Sequence, residues 1–389
     1  MPPPEHPVAI VERIVHNVYL SCVSGPNSDC KQHFCSPAAP CRVARELLAP
    51  FLNSSSWNTA VKTYKVDAFF SNVEEGVYYP HPWHINTRVR KAVLLSRYRV
   101  SRTICSAGGT YRDRGVYVAY DFGSAQGCAG ASEVVIKAWA SGSDVEYHRE
   151  VAAYKILDGC PGVPHTLGSA QYEPTCDVYV LPMQKLGPTL SDLVSLLPNK
   201  RFDAPMVLTV AIQMIERYRD IHARGLVHGA TKPGNICLAP RGAGPPGMLY
   251  AIDFGFAIPL ADHLPLPSAH RIDAVGNRRF ISVFAHHGIS KSQRDDLESL
   301  AYTLADLFHG ELPWDTPRVW RLKMATPASK LFCGMDECFH EFWRDIKALA
   351  YGEIPDYDKM RGRFVACLED HEKACAPLSW WDLWDQHNG

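Results

Sequence analysis

The chain has no stretch approaching 18 consecutive apolar residues, so no transmembrane helix is expected. It has no surplus of positive charge either, since Lys plus Arg number 40 against 41 for Asp plus Glu. A nucleic-acid coat and a polybasic membrane anchor both need such a surplus, so neither nucleic acid nor a membrane is expected as a partner. The opening residues, Met1-Pro2-Pro3-Pro4-Glu5-His6-Pro7, lack both the basic region and the apolar run of a secretory signal. The expected setting is intracellular, cytoplasmic or nuclear.

The 13 cysteines are an odd number, and without a secretory signal they are expected as reduced, mostly buried thiols. Cys22, Cys30, His33, Cys35 and Cys41 gather in one early stretch. Their spacings, Cys30-x4-Cys35 and Cys35-x5-Cys41, are wider than those of structural zinc pairs, and no second pair follows. No zinc is expected. What the chain does have is ordinary globular composition: 389 residues, 46% hydrophobic and 21% charged. At roughly 150 residues per domain, that length suggests two or three domains with a sizeable core.

Residues 1–95 are irregular, punctuated by Ser36-Pro37-Ala38-Ala39-Pro40, Ser54-Ser55-Ser56, Pro80 and Pro82, and carry no legible role. From Tyr98 the pattern sharpens. Gly115-Val116-Tyr117-Val118-Ala119-Tyr120 predicts a strand, and Val134-Val135-Ile136 predicts a buried strand ending in Lys137. Ser143 or Asp144 is placed to cap a helix through Glu146, Glu150 and Tyr154 to Leu157, closed by Gly159. Val178 to Met183 is a further strand. Beyond it the chain turns helical. Leu208, Ala211, Ile212 and Ile215 make an amphipathic stripe that stops at Gly225, and Leu297, Leu300, Ala301, Leu304 and Phe308 make another. A small sheet with one helix thus precedes a mainly helical region, and a cleft between two such lobes is a natural ligand site.

Four pieces occur in one order: Lys137 after a strand, Glu150 on a helix, His228 to Asn235 after a helix, and Asp253-Phe254-Gly255 after an apolar strand. Triphosphate transfer needs such a set. A cation must hold the phosphates and be held itself by an opposite charge, two hard oxygen ligands must hold magnesium, and a carboxylate must orient the attacking hydroxyl. Lys137 with Glu150 meets the first need, and Asn235 with Asp253 the second.

The chain resembles the protein kinase fold, and within it the casein kinase 1 family. The likeness is carried by Glu150-Val-Ala-Ala-Tyr154-Lys155, Leu186-Gly187-Pro188-Thr189-Leu190-Ser191-Asp192-Leu193 and Gly276-Asn277-Arg278-Arg279-Phe280. Its most specific part is Arg294-Asp295-Asp296-Leu297-Glu298-Ser299-Leu300, followed by Leu312-Pro313-Trp314. The resemblance implies an α+β, bilobal kinase-like fold behind the irregular N-terminal extension. Its domain is expected over 96–372, with a β-rich N-lobe over 96–185, a helical C-lobe over 186–372 and a tail over 373–389. It also implies roles. Lys137 contacts the α- and β-phosphates and pairs with Glu150. Met183 backs the adenine pocket, and Gln184 to Leu186 form the hinge. Asn235 and Asp253 hold magnesium, Lys232 reaches the γ-phosphate, Asp296 anchors the catalytic loop from beneath, and Arg279 binds an anion.

Two features depart from that pattern. An active relative carries His-Arg-Asp-x-Lys-Pro-x-Asn, whereas this chain has His228-Gly229-Ala230-Thr231-Lys232-Pro233-Gly234-Asn235. Ala230 stands where the aspartate would accept the substrate proton, and a methyl group can neither accept a proton nor orient a hydroxyl. The nucleotide-covering loop is altered as well, with Ile104-Cys105-Ser106-Ala107-Gly108-Gly109-Thr110 in place of a Gly-x-Gly-x-x-Gly hairpin. The expectation is a pseudokinase with weak or absent Mg-ATP binding that acts through a protein partner. The alternatives are an active Ser/Thr kinase with an unusual loop, in which His228 is a conceivable substitute base, and a small-molecule phosphotransferase. The last rests on a likeness of His228-Gly229 and Pro233-Gly234-Asn235 to the loops of aminoglycoside and choline kinases. Trp380, Trp381 and Trp384 are expected to pack back on the helical lobe in preference to forming an exposed docking patch.

Overall fold

The computed structural model describes residue 89 and residues 91–388, apart from 107–113, 124–131, 142–143, 243–244, 246, 261–276, 287–289, 315–318 and 373–379. The chain divides into two units, Met1–Thr87 and Arg88–Gly389, and all described residues belong to the second. The early cysteine cluster, Ala107 to Thr110 of the expected nucleotide loop, and Gly276 lie outside the described residues.

Six strands form one antiparallel sheet: β1 (Val93–Leu94), β2 (Tyr98–Ser106), β3 (Arg114–Asp121), β4 (Ser132–Ala140), β5 (Gln171–Glu173) and β6 (Val178–Gln184), in the order β1-β2-β3-β4-β6-β5. Helix α1 (Asp144–Ile156) crosses between β4 and β5. Lys137 was expected at a strand end and sits mid-strand instead, opposite Val116 on β3 and Leu181 on β6. The strand continues because Ala138, Trp139 and Ala140 are apolar and buried, so a central strand flanked on both edges gains by extending through them.

The helical part follows the predicted stripes. Helix α2 (Leu190–Leu196) opens with a capping box between Thr189 and Asp192. Helix α3 (Ala204–Ala223) is capped by Asp203, whose carboxylate accepts from the Met206 N–H at 3.0 Å, with Pro205 in the first turn. Its Leu208, Ala211 and Ile215 are buried and Ile212 packs half-buried against them. It ends just before Gly225, whose φ of 78° is the left-handed turn that a side chain would disfavour. Two short ribbons then frame the loops of the site: β7 (Leu226–Val227) with β10 (Ile258–Pro259), and β8 (Ile236–Leu238) with β9 (Leu249–Ala251).

The remaining helices are α4 (Val283–His286), α5 (Gln293–His309), α6 (Val319–Ala325), α7 (Ala328–Leu331), α8 (Glu337–Ala348), α9 (Tyr357–Glu372) and α10 (Trp380–Asn388). Helix α5 runs through the middle, with Leu297, Leu300, Ala301 and Leu304 fully buried. Each large apolar side chain removed from water in this way contributes about 1.5–3 kcal/mol. None of the helices among the described residues is long and apolar enough to cross a membrane. The tryptophans of α10 pack inward: Trp380 meets Phe202 edge-to-face at 5.2 Å, and the Trp381 ring lies against Gly187.

Candidate functional site

The site is built where the sheet, α1 and the loops beside the two ribbons converge. Strand β4 presents the Lys137 ammonium to Glu150 of α1, which hydrogen-bonds it, and to Asp253, whose Oδ1 lies 2.7 Å away. Helix α1 is held in place by its neighbours. Arg149 donates to the Gly255 carbonyl at 3.3 Å, and the Tyr154 ring meets Phe254 edge-to-face at 5.2 Å. Phe254 also lies 4.7 Å from the His228 ring, so one buried aromatic links the helix to the catalytic loop. Asp253 itself takes a left-handed conformation, φ 68°, which Asp tolerates better than most side chains and which turns the carboxylate back toward Lys137.

The charges at this end face one another, although Glu150 Oε2 is buried without a hydrogen-bond partner among the described residues. Burial pushes the Glu150 carboxyl up to about 7 against the pull of Lys137. Burial also raises Asp253, but the Lys137 and Arg114 cations beside it outweigh that and hold it well below the usual carboxylate range. Lys137 is opposed by burial yet faced by two carboxylates, and it stays above its ordinary value. A buried pair broken from one side typically costs about 3–5 kcal/mol, so the set is held together by mutual need.

The loop from His228 to Asn235 is a backbone assembly. Asp296, at the start of α5, accepts from the His228 N–H at 2.7 Å, the Gly229 N–H at 2.7 Å and His222 Nε2 at 3.0 Å. Burial raises its carboxyl, and the bond from His222 leads the effects that bring it below its ordinary value. Lys291 donates to the Gly229 carbonyl at 2.6 Å. Burial lowers that ammonium to about 8. Gly229 has φ 73°, and a Cβ there would stand 2.6 Å from the Phe256 carbonyl oxygen, so position 229 needs glycine on both counts.

His228 is occupied. Its Nε2 donates to the Ile252 carbonyl at 2.9 Å, and its Nδ1 accepts from the Ala230 N–H at 3.2 Å. Burial lowers its pKa, which favours the neutral ring these two bonds require. The ring braces the loop, and neither nitrogen faces a substrate.

A cavity of about 220 Å³ opens on this loop, lined by Arg114, Ala230, Thr231, Lys232, Asn235, Asp253, Phe256, Asn277 and Ile281. Among the described residues Asp253 is its one acid. The Asn235 Nδ2 donates to the Ala230 carbonyl at 2.8 Å, which leaves the amide oxygen for another ligand. Ala230, Lys232, Asn235 and Asp253 are therefore brought together, and Lys137 and Glu150 join them through Asp253. Met183 is buried opposite Val135, and Leu186 follows β6 half-buried; neither lines the cavity. Arg279 is outside the lining too, with its guanidinium on Asp306 at 2.5 Å.

Sequence reasoning missed Arg114, Lys291 and Asn277. Arg114 opens β3 and reaches within 3.8 Å of Asp253 and 3.6 Å of Glu146. Lys291 meets Gly229 across 62 residues of chain, a separation at which no local pattern signals contact.

No protein-family model matches the chain. It is similar to Casein kinase I homolog 1 of Schizosaccharomyces pombe, with 31% identity over 251 residues, covering 61% of this chain and 55% of that relative. It is also similar to Casein kinase I homolog 3 of the same organism, with 32% identity over 233 residues, 56% of this chain and 52% of the relative. The chain spans about half the length of the curated relatives it matches. This likeness covers about half of each relative's length, and the mixed fold, a sheet followed by a helical part, is consistent with a kinase fold.

Proposed function

We propose that the chain is a casein kinase 1-like pseudokinase, whose cleft accepts Mg-ATP weakly, transfers phosphate poorly and serves as a binding module for a protein partner. One observation carries this reading: Ala230 lines the cavity where the proton-accepting carboxylate belongs, and among the described residues the only acid lining that cavity is Asp253. Asp253 is already committed to Lys137 at 2.7 Å, and His228 has both ring nitrogens on backbone groups. Among the described residues, no other lining side chain offers a carboxylate or imidazole to take a proton from an incoming hydroxyl.

The residues present fit the nucleotide and its metal. Asn235 offers an amide oxygen and Asp253 an ionised carboxylate, both hard donors suited to magnesium, which draws charge from the phosphates when bound. Lys137 is held by Glu150 in a fixed position for phosphate oxygens and adjoins the cavity through Asp253, while Lys232 and Arg114 line the cavity as further cations. The chain's own contribution is thus to bind and neutralise, without a group to orient the attacking oxygen.

The test is phosphoryl transfer to an acidic protein acceptor, compared between the wild type and Ala230→Asp. A positioned base contributes about 10²–10⁴-fold, so the variant is expected to gain a rate of that order. Wild-type turnover at the level of active kinases, lost in Lys137→Ala, overturns the proposal. It would instead favour the second reading, a working Ser/Thr kinase, which draws on Lys232, Asn235 and Asp253 sharing one cavity because phosphoryl transfer leans mostly on positioning and electrostatics.

A further inference from the structure

Away from the cleft, the ends of α8 and α9 bring together a set of side chains that neither the nucleotide site nor the fold requires. Asp336 is the N-cap residue of α8, yet its carboxylate makes no capping bond to that helix. It meets His371 Nε2 of α9 at 3.1 Å instead. Cys367 lies four residues before His371, one helical turn away on the same face of α9. One ligand atom each from Asp336, Cys367 and His371 lie within 4.8 Å of one another. Cys338, in the first turn of α8, hydrogen-bonds to Cys367 and is buried.

We propose that Asp336, Cys367 and His371, completed by Cys338, form a binding site for a zinc-class divalent ion that clamps α8 to α9. The donor set is two sulfurs, one imidazole and one carboxylate, the mixture that suits a borderline-soft tetrahedral ion and does not suit magnesium or calcium. Bonds of about 2.0–2.1 Å to nitrogen and oxygen and 2.3 Å to sulfur put neighbouring ligand atoms about 3.3–3.8 Å apart. For Asp336, Cys367 and His371 the spacing within 4.8 Å needs side-chain adjustment of about an ångström, and Cys338 must turn toward them as the fourth ligand. Binding releases the proton of each thiol to solvent, so the site fills better as pH rises.

The surroundings suit a clamp. Phe364 of α9 meets Phe339 and Phe342 of α8 edge-to-face at 5.0 and 5.3 Å, so the helices are already packed below the cluster. Asp336 and His371 keep about a third of their side-chain surface exposed, which leaves the ion a path in. The early cysteines lie outside the described residues, and the site stands independently of the pseudokinase reading.

The experiment uses the full chain, purified with reductant and without chelator, equilibrated with zinc chloride, desalted and assayed for metal by mass spectrometry. The expected result is about one zinc per chain fewer in Cys367→Ser/His371→Ala than in the wild type. In addition, the cobalt(II)-loaded wild type should show a thiolate charge-transfer absorption that the variant lacks. Because the variant can lose its fold, Cys367 alkylation in the wild type is the second measurement, slowed by zinc and restored by chelator. Equal metal content in the two proteins, alkylation indifferent to zinc, or a Cys338–Cys367 disulfide in the reduced preparation overturns the proposal.

Discussion

At one end of the cleft Lys137, Glu150 and Asp253 form a closed set of charges, while at the other Ala230 presents a methyl group beside the cations Arg114 and Lys232. The two ends share a loop, and its backbone is fully supported from below by Asp296, His228 and Lys291. On the proposed reading, the side chain that would accept the proton is missing while the scaffold that would position it is in place. Gripping a nucleotide and activating an acceptor are carried by separate residues, so one can remain when the other is gone.

The sharpest way to break this contrast is Ala230→Asp. If the scaffold is ready, phosphoryl transfer rises by about 10²–10⁴-fold, and a variant that stays silent shows that the loop geometry has drifted as well. The scaffold itself is tested by Asp296→Ala. Removing a buried carboxylate that serves three donors is expected to cost about 3–5 kcal/mol in urea unfolding, because those donors are left without partners.

The nucleotide end is probed by melting temperature with and without Mg-ATP. Saturation at 100 times Kd stabilises a fold by about 2.7 kcal/mol, and Lys137→Ala should erase that gain. A wild type whose melting temperature ignores Mg-ATP removes nucleotide binding from the proposal and leaves the fold standing. A smaller effect is expected at Gly187. In Gly187→Ala the new Cβ meets the Trp381 ring at 2.9 Å and Leu238 Cβ at 3.1 Å. Overpacking of that kind costs about 1–3 kcal/mol, and Trp381→Leu in the same chain should recover part of it in a double-mutant cycle.

The subtlest test concerns Glu150. Its folded value of about 7 stands above its ordinary 4.5, so the folded chain binds a proton more readily than the unfolded one between those values. Stability from this group is fully present below about pH 4.5 and is lost as pH rises through about 7. The wild type should therefore lose more stability than Glu150→Gln between about pH 5 and pH 8, read from urea midpoints. Parallel curves for the two proteins would place the charge set on a different footing.

Much of the fold was legible because its signals are local. The stripe at Leu297, Leu300, Ala301 and Leu304 is buried in α5, and the break at Gly225 follows from a conformation that only glycine takes cheaply. Lys137 was placed at a strand end because a charge usually marks an edge; the strand runs on because both of its neighbours, β3 and β6, keep pairing with it. Arg114 and Lys291 gave no signal, since their partners lie far along the chain. The metal-type cluster was silent for the same reason: Asp336 and Cys338 belong to one helix, and Cys367 and His371 to another.

Residue identity alone determined what chemistry this chain is able to attempt. A methyl group at 230 cannot accept a proton in any fold, and a helical stripe at a 3.6-residue period buries one face wherever it is placed. Tertiary structure decided which groups are already spoken for. Whether His228 is a free base or a brace, and whether Trp381 is exposed or seated on Gly187, depends on neighbours that only the closed chain supplies. Hydrogen bonds and steric contacts act over a few ångströms, and folding is what brings distant residues within that range.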